Sequence, residues 1–234
     1  MAARTVVLLP PSEGKAAGGM GEPWSPGTMT VQELDPARAR VLRALGRRSG
    51  VATAPTMAAM ARYTGVLYRE LDPGSLRGVA RRRFQRDALV VSGLWGLVSP
   101  TDPIPEYRLK MGARLDPLGK LSTWWRPQVT AALAPRVDRA VVWDLLPAEH
   151  AAAVSWADLS PRQRVTVQFL DRNGRTVSHW NKLLKGSIVR WLAETGARDP
   201  MDLAGFEHPQ GYVLDPAATA VDGSHVAIVL REHP

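Results

Sequence analysis

Residues 89–115 read LVVSGLWGLVSPTDPIPEYRLKMGARL, and no other stretch restricts the possible folds as much. Its opening, residues 88–91, is short and apolar, with two adjacent valines. That is the pattern of a strand buried on both faces. A loop punctuated by Gly and Pro follows, and it places Glu106, Tyr107, Arg108, Lys110 and Arg114 within nine positions. Holding so long and so polar a loop in place is costly, and such loops are where scaffolds present their sites.

The remainder supplies the other layers. Thr5–Leu9 (TVVLL) reads as a second buried strand, stopped by Pro10 and Pro11, and residues 14–26 are a Gly- and Pro-rich loop expected to be mobile. Asp35 and Pro36 supply an N-cap and a first-turn proline for a helix carrying Val41, Leu42 and Leu45, ended by Gly46. A second helix is expected over 56–71, a third over 121–133 with Trp124 and Trp125, and a fourth over 181–194. Strands are expected at 140–143, 165–170, 212–214 and 227–230. The Asn-Gly pair of DRNG, 171–174, marks a hairpin between 165–170 and 176–178. Helices and strands interleave without an internal repeat or a clear linker, so an α/β chain with mixed α+β character is expected to form one domain over 1–234.

At 234 residues and 45% hydrophobic the chain is long enough to bury a real core. It has no run of about 18 apolar residues to cross a bilayer and no secretory leader, so a cytoplasmic protein with no membrane partner is expected. The absence of Cys excludes disulfides, thiolate nucleophiles, iron–sulfur clusters and thiolate zinc sites. His179, His208, His225 and His233 lack ligand spacing, so neither a metal nor a cofactor is expected. The eight Trp, Trp180 among them, could stack bases where exposed, but most are expected in the core, Trp95 and Trp191 lying on apolar faces. The net charge is +8, carried by 25 Arg and five Lys, a skew that GC-rich coding explains as well as guanidinium chemistry does. Two clusters stand out: Arg38, Arg40, Arg43, Arg47 and Arg48, then Arg77, Arg81, Arg82, Arg83 and Arg86 with no acid between them. Both suit a polyanion, and solvated helix faces produce the same pattern.

The segment SGLWGLVSPTDPIPEYRLKMGARL resembles the signature of the YaaA peroxide-stress protein family, roughly SGLYGxLRPxDxxxPYRLEMGxRL. Further matches follow in order: the Pro-Ser turn at Pro11 and Ser12, YTG at 63–65, KLLKGSIVRW at 182–191 against KxxRGxxxRF, and GFEHPQGY at 205–212 against GFxxxGY. The resemblance covers nearly the whole chain. It implies a mixed central sheet flanked by helices, with a helix-hairpin-helix-like element that would fall at 35–71. The link there carries Gly46 and Gly50 in place of Gly-x-Gly. For function it implies a cytoplasmic DNA-binding protein of the peroxide response, associated with lower free iron and less oxidative DNA damage. Duplex or structured DNA would lie in a basic cleft without base-specific readout.

Ser12, Glu13, Gly14 and Lys15 follow the first strand, where a turn can offer backbone N–H groups and a lysine to an anion. The spacing is not that of a Walker loop, and a purely structural turn is the plainer reading. Tyr107 and Arg108 combine a stacking face and hydroxyl with a planar fork suited to carboxylate or phosphate. Alternatively Arg108 pins the loop by pairing with Asp102 or Asp144. Lys182, Lys185 and Arg190 share a broad helix face beside Gly186, whose presence in mid-helix suggests close approach of a backbone or ligand. Glu149 and His150 offer a base, or merely hydrogen bonds within their loop. Two readings follow. In the favoured one Ser12, Lys15, Arg81, Arg82, Arg83, Arg108, Arg114, Lys182, Lys185 and Arg190 bind DNA phosphates without sequence preference. In the other, Glu13, Lys15, Tyr107 and Arg108 are catalytic toward a small anionic carboxylate or phosphate, with Lys182 and Lys185 around the same pocket. Both require these side chains to converge on one anion-receptive hollow.

Overall fold

The computed structural model describes residues 4–177 and 181–233. Within them the strands are β1 (Thr5–Leu9), β2 (Thr56–Ala58), β3 (Ala88–Ser92), β4 (Gly96–Val98), β5 (Pro103–Pro105), β6 (Arg114–Leu115), β7 (Gly119–Lys120), β8 (Val141–Asp144), β9 (Gln163–Leu170), β10 (Tyr212–Leu214), β11 (Ala220–Asp222) and β12 (His225–Glu232). The helices are α1 (Asp35–Leu45), α2 (Ala59–Arg62), α3 (Val66–Leu71), α4 (Gly78–Asp87), α5 (Leu121–Val137), α6 (Ala148–Ala151) and α7 (Asn181–Thr195).

One sheet organises the chain, in the order β10-β12-β9-β8-β1-β3-β4, with β11 also paired to β12. Its five middle strands, β12-β9-β8-β1-β3, run parallel, and β4, β10 and β11 add antiparallel edges. The central parallel strands β1, β3 and β8 are short and apolar because both faces are covered, whereas β9 and β12 are longer and carry polar residues. Val6, Val7, Leu8 and Leu9 of β1 are all buried, as is every residue of β3. Trp95, Trp125 and Trp143 are fully enclosed in the same core. The α/β character and the mixed sheet flanked by helices are therefore as expected. Ser178, His179 and Trp180 lie outside the described residues.

The stretch 56–71 departs from the single helix expected there. It forms β2, which pairs with β5 of the signature loop, then α2 and, after a break at Tyr63–Thr64–Gly65, α3. The chain is extended at Tyr63, and Gly65 is needed where it passes Ser12, since a Cβ there would sit 2.7 Å from the Ser12 Cβ. The hairpin of two long helices is accordingly not formed, and two 3-10 turns, Arg47–Ser49 and Val51–Thr53, fill the link after α1. The Asn-Gly turn at 171–174 is present, with the return chain reduced to a bridge between Leu170 and Thr176.

Residues 14–26 form the irregular loop expected, pinned as a strap along 56–64. Lys15 bridges Tyr63 and Gly21 bridges Thr56 in antiparallel fashion, and the Ala16 N–H donates to the Arg62 carbonyl at 2.8 Å. Gly21 is required at this contact, since a Cβ there would lie 2.5 Å from Thr56 Oγ1. Asp35 heads α1, but its carboxylate accepts from the Gly27 N–H at 2.7 Å and from Arg38 at 2.7 Å rather than capping its own helix. Arg38 is fully buried and donates to the carbonyls of Val31, Trp95 and Leu97.

Gly186 explains its own place in α7. A Cβ there would lie 2.4 Å from the Leu67 carbonyl oxygen of α3, so the close approach is between two helix backbones. Gly186→Ala is expected to lower stability by about 1–3 kcal/mol through overpacking, even though Ala is the better helix former. A urea-unfolding midpoint equal to or above that of the parent would contradict this packing.

Candidate anion site at the carboxyl edge of the sheet

After β1 the chain turns toward β3, whereas after β8 it turns toward β9 on the opposite side. Loops that diverge in this way leave a crevice outside the carboxyl ends of the two strands, the place where open α/β sheets bind ligands. Here the crevice is a cavity of about 390 Å³. Pro11, Ser12, Glu13 and Lys15 line it from the turn after β1, Glu149 and His150 from α6 after β8, and Tyr107, Arg108, Leu109 and Lys110 from the signature loop.

The signature loop reaches the crevice through close backbone contact. A Cβ on Gly93 would meet the Lys110 carbonyl carbon and the Met111 nitrogen at 2.9 Å, so only Gly lets the returning chain pass the end of β3. Gly112 donates its N–H to Glu149, whose carboxylate would sit 3.0 Å from a Cβ at that position. Glu149 therefore joins α6 to the signature loop, a bond between two loops and not the one expected within its own. His150 beside it has its Nδ1 buried without a partner, and burial holds its imidazole below the usual range against the opposing charge of Glu149.

The Tyr107 hydroxyl points inward. It shares hydrogen bonds with Tyr63 at 2.9 Å and Ser92 at 2.8 Å, while Ser92 Oγ accepts from the N–H groups of Leu94 and Trp95. Burial pushes the Tyr107 phenol up to about 12, so it stays protonated and cannot serve as a base near neutrality. What Tyr107 contributes is its ring face. Lys15 Nζ lies 4.2 Å from that ring's centroid and 5.8 Å from that of Tyr63, and donates to the Ser12 carbonyl at 2.9 Å. The aromatic face attracts the ammonium, but desolvation is the larger influence and drives Lys15 down to about 8, opposed by Glu106 and Glu13 and reinforced by Arg108 and Arg62. Among the described residues no carboxylate forms an ion pair with it. Glu13, the nearest in sequence, is exposed and forms its ion pair with Lys110 at 3.0 Å, which lowers the Glu13 carboxyl.

Arg108 is exposed, and neither carboxylate proposed for it is available. Asp102 accepts from Thr30 and from the Ser99 N–H, and Asp144 is held by Arg164 at 2.7 Å and by the Leu146 N–H. Ser12 is occupied in its own turn, accepting from the Thr64 N–H and donating to the Gly14 carbonyl.

The remaining candidates part company. Lys182 is exposed in the first turn of α7, close enough to lower the Glu13 carboxyl. Lys185 lies beneath, donating to the Leu145 carbonyl at 3.1 Å, with burial pulling its ammonium down. Arg190 serves the Leu71 carbonyl, Ser75 and Glu194, and Arg83 donates to the Ala193 and Glu194 carbonyls at the end of α7. Arg81 and Arg82 are exposed on α4 and Arg114 on β6, and none of the three lines the crevice. Arg62 went unnoticed in the sequence: fully buried, it donates to the carbonyls of Ala16, Pro55 and Ile104. Nothing in local periodicity marks it, although the adjoining YTG does. Among the described residues no group of three His, Asp or Glu side chains is arranged to hold a metal ion, and no helix is long and apolar enough to cross a membrane.

A family model described as "Peroxide stress protein YaaA" matches residues 29–218. The chain belongs to that family. Tyr107, Arg108, Glu149 and His150 fall inside the matched span, and the Ser12–Lys15 turn lies ahead of it. Among related proteins, a UPF0246 protein of Streptomyces coelicolor is 39% identical over 246 aligned positions, covering 93% of this chain and 95% of that protein. One from Corynebacterium glutamicum is 31% identical over 90% of this chain and 94% of its own length. One from a Ruegeria strain is 32% identical over 68% of this chain.

A lysine with a lowered pKa makes charging costly in the folded state, so its penalty is present below about 8 and fades as pH rises toward the unfolded value of 10.5. Relative to Lys15→Met, which cannot charge, the parent should gain stability between pH 7 and pH 10. Thermal midpoints of the two proteins across that range test this; a constant difference would show that Lys15 titrates as an ordinary surface lysine.

Proposed function

We propose that this peroxide-stress family member is a receptor for a small carboxylate or phosphate, bound in the crevice between β1 and β8. The observation that carries the reading is a pair of cations on one cavity that form no ion pair among the described residues: Lys15 is half-buried, the cavity's carboxylates Glu13 and Glu149 bond to Lys110 and the Gly112 N–H, and Arg108's candidate partners Asp102 and Asp144 are engaged elsewhere. A planar guanidinium fork and a partly desolvated ammonium are complementary to a carboxylate or phosphate. The cavity volume suits a metabolite, and turnover of such a ligand would use the same residues.

A second reading, non-specific binding of DNA, has its own support. A second hollow, which shares Tyr107, Arg108 and Leu109 with the crevice, is also lined by Leu45, Ser49, Gly50, Val51 and Glu106, and the exposed Arg43, Arg47 and Arg48 adjoin those residues in sequence. Duplex contact there would be electrostatic and steeply salt-dependent.

Calorimetric titration with phosphate, citrate and a short DNA duplex separates the two. Arg108→Ala should weaken phosphate or citrate binding by about tenfold or more, while the double change Arg47→Glu and Arg48→Glu leaves it unaltered. Small-anion affinity indifferent to Arg108, together with duplex affinity lost in the double variant, would replace the first reading with the second.

A further inference from the structure

We propose that Lys15 is a nucleophilic amine that captures the carbonyl carbon of an anionic aldehyde or 2-oxo acid as an imine, the anionic group lying on Arg108. The substrate class rests on the anion-receptor reading of the crevice; the reactivity of the amine rests on how Lys15 itself is built into the fold.

Lysines on protein surfaces swing freely and stay charged. Lys15 is instead fixed at three points: its backbone bridges Tyr63, its Nζ donates to the Ser12 carbonyl at 2.9 Å, and its terminus packs at 4.2 Å from the centroid of the Tyr107 ring. A neutral amine can keep the bond to Ser12 with one N–H and still hold a lone pair for the cavity it lines. The groups acting on it from each side are Glu13 in its own turn, Arg62 and Tyr63 from α2 and the residue after it, and Glu106, Tyr107 and Arg108 from the signature loop. The two carboxylates and the aromatic faces favour the ammonium and the two guanidinium groups disfavour it, and burial, the largest influence, shifts the balance toward the free amine. Desolvation beside other cations is the recognised route by which a lysine becomes a nucleophile near neutral pH.

The step balances without any further reagent. The Nζ lone pair forms the C–N bond as the carbonyl π pair moves to oxygen, which takes up a proton while the nitrogen loses one. The carbinolamine then expels its hydroxyl group as water with a second proton, leaving the iminium. That second proton comes from solvent, so the net change is amine plus carbonyl plus one proton to iminium plus water. The iminium withdraws electrons from the adjacent carbon, so the class of reaction served is bond-breaking next to a carbonyl, such as decarboxylation or retro-aldol cleavage.

The full chain is treated with glyoxylate and cyanoborohydride, which reduces the imine to a stable secondary amine, and modified lysines are mapped by peptide mass spectrometry from pH 6 to 9.5. An amine near pKa 8 has roughly two- to three-hundredfold more free base at neutral pH than an ordinary lysine and loses part of that advantage in intrinsic nucleophilicity, so Lys15 should be labelled on the order of tenfold faster than the exposed Lys110, Lys120 or Lys182. Its rate should climb through a midpoint near 8. Lys15→Arg should keep the fold, checked by its urea midpoint, and lose this adduct alone. Glyoxylate should outpace uncharged acetaldehyde at Lys15, and phosphate or Arg108→Ala should erase that preference.

Labelling of Lys15 no faster than of the exposed lysines, in a chain that binds phosphate at the crevice, would overturn the nucleophile and leave the anion receptor standing. Fast labelling of Lys15 that acetaldehyde matches, and that neither phosphate nor Arg108→Ala changes, would overturn the substrate class and the anion-receptor reading together.

Discussion

The buried guanidinium of Arg62 is the interaction on which the candidate site depends. It donates to three backbone carbonyls far apart in sequence, those of Ala16 in the strap, Pro55 before β2 and Ile104 in β5. Burial presses its pKa downward, with only the charge of Glu106 opposing. A charged group fully enclosed in protein is tolerated when its donors are satisfied, and removing such a group leaves its acceptors unpaired. Arg62 therefore does for irregular chain what a ladder does for strands: it sets the strap that carries Lys15 against the loop that carries Tyr107 and Arg108. Arg38 performs the same task one layer away, joining Val31, Trp95 and Leu97.

This use of arginine changes what the net charge of +8 means. Arg83 and Arg190 donate to carbonyls at the ends of α7 and α3, groups that a helix leaves without partners. Arg38 and Arg62 are in the interior. Arginines that looked like one polyanion surface divide into internal fasteners and exposed charges, and the exposed ones on α4 and around 43–48 do not share the crevice. The signal that does converge is smaller: a few cations on loops that leave the carboxyl ends of parallel strands, where chain direction alone opens a cavity.

The parts legible in the sequence were those governed by local pattern. β1, β3 and β8 are short apolar runs, and α5 and α7 carry long helical repeats, so their bounds shift by only a few residues from expectation. The stretch 56–71 failed because its conformation is set from a distance. β2 exists by pairing with β5 some 45 residues later, and the chain before α3 passes close against Ser12 from the turn after β1. Within the site, the signature loop and the turn after β1 identified Glu13, Lys15, Tyr107 and Arg108 as neighbours. The roles were less legible. That the Tyr107 hydroxyl faces Tyr63 and Ser92, that Glu13 pairs with Lys110, and that Arg62 lies beneath them all are facts of packing with no periodicity to announce them.

What matters most is where an anion settles when the whole surface is offered to it. Crystals of the chain soaked in tungstate, a tetrahedral oxyanion with strong anomalous scattering, would report every such position at once. The expected result is a dominant peak in the crevice, within hydrogen-bonding reach of Lys15 Nζ and the Arg108 guanidinium. Peaks confined to Arg81 and Arg82 on α4, with the crevice empty at saturating tungstate, would contradict it.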